Sequence, residues 1–304
     1  MSQPPGTTRS LRQRVLDWYH RHPQAKAWSL VAPGGVWLLV FFLAPVLVML
    51  TYSLKERGIY GGVEEGFTVE HYLRFMDRLY LKILWRTVVD ASVCTAICLA
   101  LGYPTAYVIT RGGKLKGVLL FLVILPFWTS FLVRTFAMIF LMRDTGFINT
   151  LLLKAGLISE PIVMLYTPFA VMTGLVYGFL PFMVLPIYAS LEKLDYSLLE
   201  AAEVLGARST RRFLRVTLPL SMPGVVAGCL LVFIPALGSF LTSDLLGGAK
   251  EILIGNVVQA QFTSARNWPF GSAASFVLMA LVLGAVMIYL RVRDGAAGSS
   301  TVER

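Results

Sequence analysis

The residue types that perform catalysis are few in this sequence and are not arranged for it. His20, His22 and His71 lie outside the long apolar runs, and no His-Glu-x-x-His pattern occurs. Cys94, Cys98 and Cys229 lie inside those runs. Cys94 and Cys98 share a helix face at i,i+4, but a zinc site needs more ligands than two thiols. All three cysteines read as small apolar residues in helix packing, so neither a metal nor another cofactor is expected. A phosphate-binding loop is also missing: Gly113-Lys114 is followed by Leu115, and position 108 is not Gly. An enzyme is therefore not expected.

The ionisable residues that do form a pattern lie between Ala189 and Pro223. Glu200-Ala-Ala-Glu-Val-Leu-Gly206 is followed by a stretch holding Arg208, Arg211, Arg212 and Arg215 before Pro219. Asp195 or Ser197 can cap a helix that carries Glu200 near its start, where acid complements the helix dipole. Ala201, Ala202 and Leu205 favour helix, and Gly206 permits a sharp break. A second short helix would carry the arginines and end at Pro219 and Pro223. Such a helix–turn–helix, acidic at one end and basic at the other, suits either an anionic lipid surface or a groove on a soluble partner. Four charges fall within apolar runs or in their leading turns: Arg86, Asp90, Arg134 and Asp244. Arg86 and Asp90 are one helical turn apart and can pair. Arg134 stands alone, which is costly in lipid unless it finds a partner or water.

The elements that must position these residues are membrane spans. Of the 304 residues, 56% are hydrophobic and 14% charged, with a mean hydropathy of +0.69. Soluble chains carry about 25% charged residues. A span needs about 20 apolar residues, and six stretches qualify: 34–54, 91–109, 118–142, 162–189, 223–246 and 273–290. The net charge of +10 does not indicate nucleic acid, because Lys and Arg are scattered through the connecting loops. The first apolar run is too long for a signal-peptide core and no small-x-small site follows it, so it is read as a retained span. With both termini cytoplasmic, that side holds sixteen Lys and Arg against nine outside, as the positive-inside rule favours. Pro45, Pro104, Pro126, Pro168, Pro181, Pro186 and Pro235 predict kinked helices around a polar path.

The spacing in the connecting loop is similar to a family signature. Glu200, Ala201, Ala202, Gly206, Leu218 and Pro219 match, position for position, the signature loop of permease subunits in bacterial ABC importers; Val216 stands where Ile is usual. Further stretches resemble the spermidine/putrescine group of these permeases: 124–136, 165–170, 181–186, 235–238, 243–256 and 267–271. The likeness covers roughly residues 30–290 and is to the first permease of a pair. It implies an all-α membrane fold of the type I importer (MetI-like) class in the bacterial inner membrane. The expected organisation is a cytoplasmic segment 1–30, a permease domain 31–292 with coupling loop 190–222, and a disordered tail 293–304. The implied partners are a second permease, a dimer of ATP-binding subunits that supplies the energy, and an external polyamine-binding protein.

A polyamine is a flexible polycation, so its path should offer aromatic faces and a few carboxylates. Trp128, Tyr177, Asp90 and Asp244 are the candidates, although packing explains Trp128 equally well and Asp90 has Arg86 to pair with. Arg134 is expected to be structural, since a cation on that path would repel the solute. The external segment 61–82 is expected to help receive the binding protein. The alternatives are the same architecture carrying another amine, an amino-acid derivative or an iron complex, or a secondary transporter, for which no internal symmetry is visible.

Overall fold

The computed structural model describes residues 23–248 and 251–298. Helix α1 (Pro23–Ser53) precedes a small hairpin, β1 (Glu56–Arg57) and β2 (Val63–Glu64), paired antiparallel with Glu56 opposite Glu64. Gly61 and Gly62, at φ +91° and +83°, turn the hairpin through backbone conformations that residues with a Cβ resist. Helices α2 (Glu70–Phe75), α3 (Arg78–Arg111) and α4 (Lys116–Ile124) follow, then α5 (Phe131–Met142), α6 (Phe147–Lys154) and α7 (Pro168–Glu192). The chain continues with α8 (Tyr196–Val204), α9 (Ser209–Arg212), α10 (Leu218–Gly238), α11 (Ile254–Phe262) and α12 (Trp268–Gly298).

Helices α3, α7 and α10 pack against one another at the centre. Their contact surfaces are made of Ala91, Cys94, Cys98, Leu175, Met183, Val184, Ile187, Val232 and Ala236, all essentially buried. Close approach depends on small residues. A Cβ at Gly228 would lie 2.8 Å from the Met183 sulfur, so α10 and α7 meet where no side chain intervenes. Thr87, Ser92, Thr95 and Thr105 of α3 donate their hydroxyls to carbonyls four residues back, which satisfies them inside an apolar helix. By contrast α1 packs along α12 and leaves side chains such as Trp37, Phe41 and Phe42 exposed.

Six helical stretches are long and apolar enough to cross a membrane, but their boundaries differ from those expected. The third span is not one helix. It breaks at a 3₁₀ turn over Leu125–Trp128 and an extended Thr129, because Pro126 has no N–H to give and Thr129 turns its hydroxyl onto the Pro126 carbonyl. The fourth begins at Pro168, not at 162. The preceding strand of chain is held by buried Asn149, which donates to the Ile162 carbonyl at 2.9 Å and accepts from its amide at 2.9 Å. The fifth ends at Gly238, where Ser239 is extended, and a π-helical turn over Ser243–Gly247 follows. At its start, Pro219 and Pro223 do not end the preceding short helix. A π-helical turn over Phe213–Thr217 joins α9 to α10 in unbroken helical backbone, and Pro219 follows directly on that turn, where the i to i−4 ladder is already interrupted. Helix α12 runs on to Gly298, into the segment expected as a disordered tail. Residues 299–304 and most of the expected N-terminal segment, residues 1–22, lie outside the described residues.

Candidate coupling loop and membrane path

The loop between α7 and α10 is a helix–turn–helix. Asp195 caps α8, its side chain accepting from the Ser197 amide at 2.9 Å, and that bond holds its carboxyl below the usual carboxylate range. Gly206 ends α8 at φ +78°, donating its amide to the Glu203 carbonyl at 2.8 Å, while the Ala207 amide reaches Ala202 at 3.0 Å. This closed helix end uses the left-handed conformation that glycine adopts without strain. An ion pair between Glu203 and Arg212 ties α8 to α9.

The matched loop residues divide into two groups. Glu200, Ala201 and Gly206 are exposed, beside Val204 and Leu205 at 88% and 86% exposure. Two large aliphatic side chains held that far into solvent on a capped helix form a knob. Gly206, Arg208, Arg211, Leu214 and Arg215 line an open basic concavity of about 650 Å³ next to it. Ala202 and Leu218 are half-buried, and Leu218 packs onto the helical core; Pro219 is exposed at the start of α10. Behind the knob, Phe213 meets Tyr103 and Tyr107 of α3 edge-on, with ring centroids 5.6 and 5.8 Å apart. The loop is thus joined to α10 through backbone and to α3 through rings.

Arg86, within the second span, pairs with Glu251 from the segment between the fifth and sixth spans and lies 3.8 Å from Asp90. Glu251 is 8% exposed, and its carbonyl accepts from the Ser243 hydroxyl. A cavity of about 410 Å³ beside this group is lined by Tyr80, Asp244, Glu251, Asn256, Gln259 and Gln261, among other residues. Tyr177 faces the Arg134 guanidinium at 5.8 Å, whereas Trp128 is 75% exposed and edge-on to Phe121 at 5.6 Å. The four candidates are therefore not brought together. Asp90 lies beside the Arg86–Glu251 pair, Asp244 lines the neighbouring cavity with Glu251, Tyr177 faces Arg134, and Trp128 stands apart against Phe121.

A family model described as "Binding-protein-dependent transport system inner membrane component" matches residues 96–293, which span both the loop and the helical core. The chain belongs to this family. Its relatives include the "Spermidine/putrescine transport system permease protein PotB" of Haemophilus influenzae, 46% identical over 84% of this chain and 90% of that protein. PotB of Escherichia coli (strain K12) is 44% identical over 84% of this chain and 93% of that protein. Among solved structures, a bacterial ABC transporter involved in alginate import matches 92% of this chain and 99% of its own at a TM-score of 0.64 and 17% identity, a likeness of fold alone.

The permease is an inner-membrane protein of several spans and not an enzyme. The family works with a binding protein, a second permease and a separate ATPase. Sequence reasoning found the loop residues and the Arg86–Asp90 spacing. It missed Glu251, 165 residues from Arg86 along the chain, whose available signal was an acid immediately past the fifth apolar run. It also missed Phe127 and Phe131, which look like ordinary apolar residues until Arg134 is seen between them.

Proposed function

We propose that this permease is the membrane subunit of an ATP-driven importer for polyamines, spermidine and putrescine, and forms half of the pore with a second, similar permease. The observation that carries this reading is the 44–46% identity to PotB proteins over 84% of the chain. The coupling-loop geometry supports the energetic half of it. Glu200, Ala201, Ala202 and Gly206 form the knob that docks on a dimer of ATP-binding subunits, and Leu218 and Pro219 seat it on α10. ATP closes that dimer and the knob moves with it. The motion passes into α10 directly and into α3 through Phe213, so the pore exchanges inward- for outward-facing states.

In this account both termini are cytoplasmic and an external polyamine-binding protein delivers the solute to the opposite side. Asp90, Asp244, Trp128 and Tyr177 belong to the path that the polycation follows, and Glu251 joins them. Carboxylates and ring faces suit a chain of ammonium groups, while selection rests with the binding protein. Uptake of labelled spermidine and putrescine, in cells without their own polyamine importers that express the complete transporter, tests the reading. Saturable uptake is expected. Membrane-inserted, assembled transporter with no uptake of either amine would overturn the solute assignment.

A further inference from the structure

Arg134 has no acceptor for its charge among the described residues. Its Nε and Nη1 are buried without a hydrogen-bond partner, and the ion pairs found involve Arg86, Lys116 and Arg212. A guanidinium stays charged at any physiological pH, and an unpaired charge in a membrane span is costly. What surrounds it is aromatic: its Cζ lies 5.0 Å from the ring centroid of Phe127, 5.6 Å from Phe131 and 5.8 Å from Tyr177. These rings are themselves held. Phe127 is edge-on to Phe182 at 5.1 Å, and Phe131 stacks on Phe179 at 6.5 Å. A Cβ at Gly178 would lie 2.9 Å from the Phe131 ring, so that ring fills the space the glycine leaves.

Ring faces converging on one cation are the means by which proteins recognise alkylammonium groups. We propose that Phe127, Phe131 and Tyr177 form an ammonium-binding cage on the solute path, and that Arg134 is its tethered occupant, leaving when an ammonium end of the solute takes its place. The ligand class rests on the polyamine reading above. Two cations cannot share the cage, so Arg134 keeps it closed to small cations while the solute is absent. Phe127 lies before the break at Thr129 and Ser130, Phe131 and Arg134 lie after it, and Tyr177 is on α7. A change of angle at that break, or a shift of α5 against α7, therefore opens the cage.

The test is the affinity of the purified full transporter, without its binding protein, for 1,4-diaminobutane and spermidine by calorimetry. Arg134→Gln empties the cage and should tighten binding roughly fivefold, the size of one cation–π contact. Adding Tyr177→Leu should abolish that gain, and Tyr177→Leu alone should slow uptake several-fold more than Tyr177→Phe. Unchanged affinity in Arg134→Gln, or a gain that survives Tyr177→Leu, would overturn the proposal. If Arg134→Gln fails to assemble, Gly178→Ala pushes the Phe131 wall aside and should weaken amine binding; unchanged binding there would overturn it equally. If the wild type takes up neither amine, the polyamine reading falls, while the calorimetric comparison still decides the cage.

Discussion

At the scale of single residues, the arrangement around Glu251 makes an asymmetric prediction. Its carboxylate is nearly buried and its cation is Arg86, which is itself partly exposed and shared with Asp90. Removing the cation leaves a buried charge unpaired, whereas neutralising the acid leaves Arg86 with Asp90 and water. Arg86→Ala should therefore destabilise the assembled transporter by about 2 kcal/mol, below the range for a fully buried pair because Arg86 is partly solvated. Glu251→Gln should cost clearly less, and the double variant should recover part of the loss. Thermal unfolding of the purified complex reads all three, and equal losses in the two single variants would contradict the pairing. On the transport side, Asp244→Asn should lower the maximal uptake rate severalfold while leaving ATP hydrolysis in place.

At the scale of elements, the break in the third span and the cap of α8 both act through backbone hydrogen bonds. Pro126→Ala restores an N–H that lets α4 extend through Leu125–Trp128, which would turn Phe127 and Trp128 to new directions. Protein level should hold or rise while uptake falls, and undiminished uptake would mean the break has no role in transport. Asp195→Ala removes the side-chain acceptor of the Ser197 amide, so α8 should fray and uptake decline, with Asp195→Asn close to wild type. The carboxyl of Asp195 is held low, so the ionised cap is fully present above the ordinary aspartate range and is lost only as pH falls below it. Uptake between pH 6 and 8 should not change on its account.

Much of this level was legible beforehand. Six apolar runs of adequate length located six spans, because hydrophobic length is what lipid demands. The Glu200–Gly206 pattern located the knob, because capping and left-handed glycine are local chemistry. What escaped was non-local or hidden in apolar composition. Hydropathy does not register the single hydrogen bond that Pro126 forfeits, so the third span read as continuous. Pro219 read as a stop because a π-helical turn before it, which makes room for the missing N–H, has no signature in residue type. Glu251 and the rings around Arg134 needed the packing of α3, α5 and α7 to be seen at all.

At the scale of the whole molecule, α3, α7 and α10 pack at the centre and the proposed coupling loop meets them at one end. The loop is fused to α10 and leans on α3 through Phe213, so displacement of the knob moves two of the three central helices together. With both termini cytoplasmic, as proposed from the charge bias, alkaline phosphatase fused after Lys154 should be active and fused after Met287 inactive, and the reverse pattern would invert the proposed topology. The most direct test of the central claim is to replace Gly206 by Asp in the complete transporter. Aspartate at φ +78° is strained and adds a charge and a side chain to the surface proposed to dock on the ATPase. Uptake of labelled spermidine and ATP hydrolysis would be measured in the same proteoliposomes, with permease levels matched. Loss of uptake, with hydrolysis no longer responding to the loaded binding protein, is the predicted result. Uptake equal to wild type would contradict the assignment of this loop as the place where ATP hydrolysis reaches the pore.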